Sequence, residues 1–372
     1  MTKPYEKQTY FALALDPVHV GTGGYRLGRV DNTITREPGT NLPKVPGSSI
    51  AGVTRAYTAM AIQAKIAESE WTVSTDGMLR IKSDVYKKMK YQRPKYDFLD
   101  IEKGLIKPDT KNEPLICRNS KGGIDEPIYL SCAGKGAQGG DAHCGEADCE
   151  VCTAFGFSRK SGTSFQGLAQ FSDARILFFP VHSMIGPVWI TSPCILKEHR
   201  VNAVIDDEEK FRPFVADLAA DKLNFGWLML QKEPGEVPFD DNFTSVPDEI
   251  RKRVVLVSDK LFSRIVNDNL EVRTSVAIDP ATGAADPGAL YTYEAIPRAT
   301  VMWFDVVYNK PEYFKISSNR DINPDQKNGE KWEWIKTNVE KGLRLAEHLG
   351  IGGMNTRGMG RLKVLNLPEV TQ

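Results

Sequence analysis

A long irregular segment in the first half of the chain constrains the fold more than any other feature. Residues from about 70 to 165 show no sustained helix or strand periodicity, and they hold the stretch GKGAQGG, a basic run and most of the six cysteines. Regular patterns occupy both sides of this segment. The sequence therefore predicts a core built from residues 1–66 and 165–372, with residues 67–164 inserted between the two parts.

The regular segments follow both helix and strand patterns. Apolar residues recur at helical spacing in residues 49–68 and 331–350. Ser48 or Ser49 is expected as the N-cap of the first helix, and Gly350 as the stop of the second. Strands are predicted at residues 10–20, 270–278, 289–297, 299–308 and after the glycine-rich turn at 350–358, while residues 165–181 are expected to form two short strands or one long bent strand. This order predicts an α+β protein with an RNA-recognition-like, or ferredoxin-like, core.

Composition describes an ordinary globular protein and says little about its partners. Hydrophobic residues make up 41% and charged residues 26%, while Lys+Arg and Asp+Glu both number 48. Net charge therefore does not indicate a nucleic-acid binder. The basic run at residues 80–95 indicates either a solvated face or contact with a polyanion. No apolar run approaches the ~18 residues of a membrane span and the first residues lack a signal-peptide core, so we expect a cytoplasmic protein without a membrane partner.

Several glycine clusters raise the question of nucleotide binding. GTGGYR and GIGGMN fail the GxGxxG pattern, and GxxxxGK[ST] does not occur. GKGAQG at residues 134–139 has the GxGxxG letters but lies in the irregular segment, without the strand and helix pattern that the motif needs on its two sides, so neither a Rossmann nor a P-loop cofactor site is predicted. Tight turns explain any one cluster. Two clusters also suit a sugar–phosphate chain. Residues 47–49 open a helix, whose free N–H groups favour phosphate, and residues 350–358 combine bare backbone with the donors Asn355, Thr356 and Arg357.

Four cysteines within residues 132–152 have the character of a metal site. Cys132, Cys144, Cys149 and Cys152 end in a CxxC pair, and His143 is an alternative ligand. Four nitrogen or sulfur ligands suit a tetrahedral structural Zn²⁺, which would hold together a glycine-rich insertion with little core of its own. Cysteines without a metal are the alternative. Cys117 and Cys194 are expected to be ordinary buried or free thiols.

Motifs at both ends and in the middle of the chain together resemble one protein family. They are HVGTGG, GRVDNTITREPGTNLPKVPGSSIAGVTR, FSDARILFFPV, DPGALYTYEAIP and LGIGGMNTRGMGRLKV. The chain resembles the RAMP superfamily and, within it, the repeated backbone subunit of type III CRISPR effector complexes, over about two thirds of its length. The third and fourth motifs are similar to the III-B version, while the Cys-rich insertion and DNTITREP are similar to the III-A version. The III-D version also remains open.

The resemblance implies a function in RNA-guided defence. The core would form an RNA-recognition-like palm, whose copies stack as a filament along CRISPR RNA with other type III subunits. Residues 268–298 would form a thumb hairpin that displaces every sixth nucleotide of the guide–target duplex, with Ile278, Leu290 and Tyr291 as the candidate wedge residues. The other candidate RNA contacts are Gly21, Thr22, Gly23, Ser48, Ser49, Arg55, Gly352, Gly353, Asn355, Thr356 and Arg357.

Two positions depart from the family pattern. A lysine is usual where this chain has Ala51, and an arginine is common where it has His182. Both changes remove phosphate contacts that the family pattern implies. Arg55, one helical turn after Ala51, remains.

Asp31 is the candidate catalytic residue. By its spacing alone it would be a turn-capping or arginine-paired surface carboxylate. The resemblance places it where related subunits have their essential aspartate, and implies cleavage of target RNA with Mg²⁺ or Mn²⁺. No second carboxylate is clearly paired with it, and its role as metal ligand or as general base is open.

Two other functions compete with the RNA-guided endoribonuclease. One is a non-catalytic scaffold of the same complex that binds CRISPR RNA and cuts nothing. The other is a stand-alone metabolic enzyme with a zinc module, which the missing cofactor motifs disfavour.

Overall fold

The computed structural model of this protein forms two compact units. The first comprises Met1–Gln8, Ala51–Phe171 and Val306–Leu345, and the second Thr9–Ile50, Ser172–Asp305 and Ala346–Gln372. The structure describes residues 3–23, 30–63, 71–73, 79–81, 106–108, 114–116, 149–158, 164–215, 218, 220–237, 243–286, 290–316, 320–322 and 331–369. The predicted boundaries of core and insertion stay a prediction.

The α-helices in the described residues differ widely in length. They are α1 (Gly47–Gln63), α2 (Glu150–Phe155), α3 (Pro193–Glu198), α4 (Asp248–Arg251), α5 (Asp259–Asp268) and α6 (Lys331–Leu349). The predicted stop of α6 at Gly350 is confirmed, since that residue has a φ of 77°, which glycine adopts without strain. No helix in the described part of the chain is long and apolar enough to cross a membrane.

The described strands are mostly short. They are β1 (Tyr5–Ala14), β2 (Lys44–Val45), β3 (Trp71–Val73), β4 (Leu79–Ile81), β5 (Ile106–Pro108), β6 (Pro114–Ile116), β7 (Gly156–Ser158), β8 (Ser164–Gln166), β9 (Ala169–Phe171), β10 (Ala174–Ser183), β11 (Gly186–Thr191), β12 (Lys210–Pro213), β13 (Lys222–Phe225), β14 (Leu228–Lys232), β15 (Val254–Leu256), β16 (Glu271–Ser275), β17 (Tyr291–Ala295), β18 (Val301–Asn309), β19 (Lys315–Ile316), β20 (Arg320–Asp321) and β21 (Leu362–Val364).

The main sheet lies mostly in the second unit. Its strands follow the order β13-β14-β12-β15-β11-β10-β18-β1-β21, and β2 pairs with β10. The pairs β11–β15 and β12–β14 are parallel, whereas β10 pairs antiparallel with β11 and β18. Phe178 and Phe179 in β10 are fully buried, and Tyr10 stacks on Phe304 with ring centroids 5.5 Å apart. The predicted α+β class is therefore confirmed.

The first predicted strand has different bounds in the structure. Residues 10–20 were expected to form it, but β1 runs from Tyr5 to Ala14. Pro17 lacks an N–H group and cannot continue the ladder. The chain turns there instead, and the Pro17 carbonyl oxygen accepts a hydrogen bond of 2.8 Å from the Gly360 amide.

A two-stranded hairpin lies in the second unit. Strands β16 and β17 pair antiparallel in a register from Glu271↔Ala295 to Ser275↔Tyr291. Toward the tip, Ile278 bridges to Ala285 and is mostly exposed. These strands lie within the segments for which the sequence predicts a hairpin.

The first unit contains a close helix pair. Thr58 Oγ1 in α1 donates to the Asn338 carbonyl oxygen in α6 at 3.0 Å. Gly342 lies so near the Thr54 carbonyl oxygen that a Cβ atom would come within 3.0 Å of it. Short strands also occur where the sequence showed no periodicity, since β3, β4, β6 and β5 form a four-stranded sheet. Three-residue strands are too short to leave a periodic pattern.

Candidate active site at the base of the hairpin

Asp31 is an exposed residue attached to strand β17 of the hairpin. Its Oδ2 atom accepts hydrogen bonds from the Thr292 amide at 2.7 Å and from Thr292 Oγ1 at 2.9 Å. The Asp31 amide donates in return to Thr292 Oγ1 at 3.1 Å. The next residue, Asn32, donates to the Thr292 carbonyl oxygen at 3.0 Å and accepts from the Glu294 amide at 3.1 Å. The segment that carries Asp31 therefore runs along β17 as a short parallel edge.

These hydrogen bonds stabilise the ionised form of Asp31. The Thr292 amide, and next the Thr292 hydroxyl, stabilise the ionised carboxylate and hold the pKa of Asp31 below its ordinary value. Oδ1 accepts no hydrogen bond from the residues that the structure describes. Asp31 thus has one oxygen fixed by Thr292 and one that no described residue contacts by a hydrogen bond, and its lowered pKa favours the ionised carboxylate.

An ion pair fixes the same segment a few residues further on. Arg36 donates from Nη2 to Glu294 Oε2 at 2.7 Å, and the Glu294 side chain is only 9% exposed. The Arg36 guanidinium also donates to the Asn267 side chain and to the Asn41 carbonyl oxygen. Because Glu294 lies on β17, this pair connects the segment after Asp31 to the hairpin a second time.

His19 lies between the hairpin and a glycine-rich loop. Its Nδ1 atom is 2.6 Å from the Glu294 carbonyl oxygen, and its ring meets Tyr293 edge-on. The His19 carbonyl oxygen accepts from the Gly353 amide at 2.9 Å. Gly352 has a φ of 85°, and a Cβ atom there would come within 3.0 Å of that same oxygen. Only glycine fits this approach.

The glycine-rich loop of residues 350–360 reaches the hairpin through Arg357. Its guanidinium donates to the Tyr291 hydroxyl and, at 3.4 Å, to Ser275 Oγ. The hydrogen bonds of the Tyr291 hydroxyl with Ser275 and Arg357 lower the pKa of Tyr291. Asn355 donates to the Leu349 carbonyl oxygen at 3.1 Å, so it supports the loop, and the Thr356 side chain is exposed.

Most of the predicted site residues therefore lie in the second unit, around the base of the hairpin. Gly21 forms a bridge with Ile34, and the Thr22 amide donates to the Thr33 carbonyl oxygen at 3.2 Å. Gly23 is exposed, with a φ of 77°. The candidate wedge residues Ile278 and Leu290 are 54% and 67% exposed. The sequence did not single out His19, Arg36, Thr292 or Glu294.

The predicted N-cap of helix α1 is wrong. The helix begins at Gly47, so Ser48 and Ser49 belong to its first turn and Pro46 precedes it. The Gly47 amide donates to Asp173 Oδ1 at 2.8 Å. A carboxylate of the protein thus already satisfies one of the amides that a phosphate would use.

Arg55 belongs to the first unit, where it has a structural contact. Its Nη2 atom donates to the Gly156 carbonyl oxygen at 2.8 Å, between the start of β7 and helix α1. This hydrogen bond holds the side chain that the sequence assigned to RNA.

Two of the predicted zinc ligands start helix α2. Cys149 is the N-cap, and its Sγ atom accepts a hydrogen bond of 3.3 Å from the Cys152 amide. Both side chains are buried. Cys132, His143 and Cys144 lie outside the described residues, as does Cys117, so the ligand set stays a prediction. Cys194 is exposed.

The fold and the site together describe an α+β protein in which an exposed carboxylate is held against a hairpin that a glycine-rich loop also contacts. Such an arrangement suits contact with a sugar–phosphate chain. The chain belongs to the RAMP superfamily, because the model of that superfamily matches residues 12–363. The family resemblance found in the sequence is confirmed.

Comparison with individual proteins agrees with this family. The CRISPR system Cmr endoribonuclease Cmr4 of Pyrococcus furiosus is 25% identical over 226 residues, which cover 55% of this chain and 70% of the relative. A chain of the type III-B Cmr-beta complex in its apo state gives a TM-score of 0.53 at 13% identity over 96% of both chains. A chain of the same kind of complex bound to cognate target RNA gives 0.52 at 12% identity over 98% of both chains. The two solved structures share the fold.

Proposed function

We propose that this protein is a backbone subunit of a type III CRISPR effector complex, and that it cleaves target RNA paired to CRISPR RNA by means of Asp31. Membership of the RAMP superfamily and similarity to a relative named as a Cmr endoribonuclease support this function. The observation that carries the catalytic part is the exposed, ionised Asp31, which Thr292 holds against the hairpin.

The chemistry of RNA explains why one carboxylate can be sufficient. The 2′-OH group is a built-in nucleophile, so a cleaving protein has mainly to bring it in line with the departing 5′-oxygen. A regular duplex prevents that alignment. A hairpin that displaces one nucleotide releases the strand locally, and the exposed Ile278 and Leu290 offer apolar surface for that step.

Asp31 suits cation binding better than proton transfer. A general base works best when its pKa lies near the working pH, whereas the pKa of Asp31 lies below the ordinary value of an aspartate. Mg²⁺ is often held by one or two carboxylates together with water and substrate phosphates. The Oδ1 atom of Asp31, which has no hydrogen-bond donor among the described residues, fits that role, and a bound Mg²⁺ or Mn²⁺ would offset charge on the phosphoryl group. The described residues hold no group of three or more His, Cys, Asp or Glu side chains suited to a metal, so a preformed cage is not part of the proposal.

The structural Zn²⁺ is a separate part of the proposal. A CxxC pair at the start of a helix brings two thiols to one end of it, and Cys149 and Cys152 have this arrangement. Cys132 and Cys144, with His143 as substitute, would complete four ligands. Metal analysis of the purified protein tests this, and a protein without stoichiometric zinc would contradict it.

The remaining partners follow from the same function. Copies of this chain would stack along CRISPR RNA with other type III subunits, and an RNA-recognition-like palm would contact the backbone. Each phosphate contact with single-stranded RNA should contribute about −0.7 to the slope of log affinity against log salt. Sequence specificity would come from guide–target pairing, as in other RNA-guided systems.

The deciding experiment uses the complex assembled with guide RNA and a labelled target RNA. Asp31→Asn should leave binding of both RNAs unchanged and slow cleavage by roughly 10²–10⁴. Asp207→Asn is the matched control, because Asp207 is a half-buried aspartate whose carboxylate likewise accepts from a backbone amide, that of Glu209. Regular cleavage by the Asp31→Asn complex at the wild-type rate would refute the assignment, and a wild-type complex that binds but never cuts would favour the non-catalytic scaffold.

A further inference from the structure

Thr292 makes every hydrogen bond of the Asp31 carboxylate within the described residues. Its amide and its hydroxyl both donate to Oδ2, at 2.7 Å and 2.9 Å, while Oδ1 has no such donor. The same hydroxyl accepts from the Asp31 amide at 3.1 Å. A threonine hydroxyl has one proton and two lone pairs, so it can make both contacts at once.

Thr292 is itself held in place, because the segment after Asp31 is bonded to strand β17 on both sides of it. The backbone of Asn32 bonds to the Thr292 carbonyl oxygen on one side and to the Glu294 amide on the other. Glu294 pairs with Arg36 through an ion pair that is largely buried. The backbone of Thr292 therefore has a fixed position, from which its hydroxyl can orient the Asp31 carboxylate.

We propose that Thr292 is a positioning residue for the cleavage reaction, which fixes the Asp31 carboxylate in one orientation so that Oδ1 is the oxygen that acts on the target RNA. This inference rests on the proposed function. A side chain that is already held in the reactive orientation loses less conformational entropy when the reaction takes place. The substitution of an orienting partner typically reduces activity about 10–100-fold.

A purely structural role for Thr292 predicts a different result. In that case the hydroxyl would only fasten the hairpin to the segment at Asp31, and its loss would weaken RNA binding and stability together. Valine and serine separate the two roles. Valine keeps the branched shape that strands favour but lacks the hydroxyl, whereas serine keeps the hydroxyl and lacks the methyl group.

The test compares Thr292→Val, Thr292→Ser, Thr40→Val and Asp31→Asn in assembled complexes with guide and target RNA. Thr40 is an exposed threonine outside the hairpin whose hydroxyl accepts from the Leu42 amide at 3.3 Å, so it receives the same change without the proposed effect. Thr292→Val should lower kcat about 10–100-fold with unchanged KM for target RNA and unchanged guide binding. Thr292→Ser should recover most of the rate, and Thr40→Val should cut like wild type.

Three results would overturn the inference. They are wild-type cleavage by Thr292→Val, a Thr292→Ser variant as slow as Thr292→Val, and a loss of RNA affinity that accounts for the slower rate. The proposed function fails in a different way, through a wild-type complex that does not cut or an Asp31→Asn complex that cuts normally. If Asp31→Asn is inactive and Thr292→Val is fully active, only the positioning role is wrong.

Discussion

Gly352→Ala should loosen the glycine-rich loop from His19. Two costs arise from the structure. A non-glycine residue at a φ of 85° costs about 1–2 kcal/mol. The new Cβ atom would also come within 3.0 Å of the His19 carbonyl oxygen, and such overpacking costs about 1–3 kcal/mol.

The backbone oxygen of His19 cannot move aside as the end of a flexible side chain would. The loop must therefore shift, and the 2.9 Å hydrogen bond from the Gly353 amide to that oxygen is lost or lengthened. We expect the free energy of unfolding to fall by about 1–3 kcal/mol, less than the sum of the two costs, since they act on the same contact and are not independent.

Hydrogen exchange at the Gly353 amide is the most direct assay, together with urea unfolding. Exchange should accelerate in Gly352→Ala because this amide loses its acceptor. Gly353→Ala is the matched control for unfolding. A Cβ atom at residue 353 would lie 3.6 Å from the nearest His19 atom, which is ordinary contact, and φ there is not positive. If Gly352→Ala is as stable as wild type, the loop does not depend on this close approach.

Two further predictions concern stability. Gly342→Ala should destabilise the first unit by about 1–3 kcal/mol despite the better helix propensity of alanine, because its Cβ atom would collide with the Thr54 backbone. Gly52→Ala, in open space on the neighbouring helix, should be neutral or stabilise by up to about 1 kcal/mol. Urea unfolding that ranks the two variants in the opposite order would contradict the close packing of the helices. Partial burial acts to raise the pKa of Asp173, but the hydrogen bonds from Lys44 and from the Gly47 amide outweigh it, so the pKa is lowered. The free energy of unfolding lost in Asp173→Asn should therefore be constant above the ordinary aspartate pKa of about 3.9. It should shrink as the pH falls through the lower pKa of the folded state. A difference between the two proteins that grows on acidification would contradict this sign.

Long periodic elements could be predicted from the sequence, and short ones could not. Helix α6 and its stop at Gly350 follow from apolar spacing and a glycine with positive φ. The start of α1 was misplaced because its amide partner, Asp173, is 126 residues away from Gly47. Apart from the ten-residue α5, the strands and helices between residues 184 and 268 have three to six residues each, and none of them was predicted separately from the sequence.

The candidate site was only partly visible in the sequence for the same reason. Asp31 was found through its motif, whereas Thr292 lies 261 residues further along the chain and belongs to no motif with it. The Arg36–Glu294 pair spans 258 residues. Local periodicity contains no information on such pairs, so only the folded chain reveals that one strand holds the carboxylate.

The alternation of side chains along β17 limits how this protein can be re-engineered. Thr292 and Glu294 contact the segment of residues 31–36, while Tyr291 contacts Arg357. A hairpin grafted from a relative would bring its own residues to all three positions at once. Such a chimera would retain these contacts only if the counterparts at residues 31, 36 and 357 were exchanged with it. A graft confined to the tip beyond Ser275 and Tyr291 would leave them unchanged.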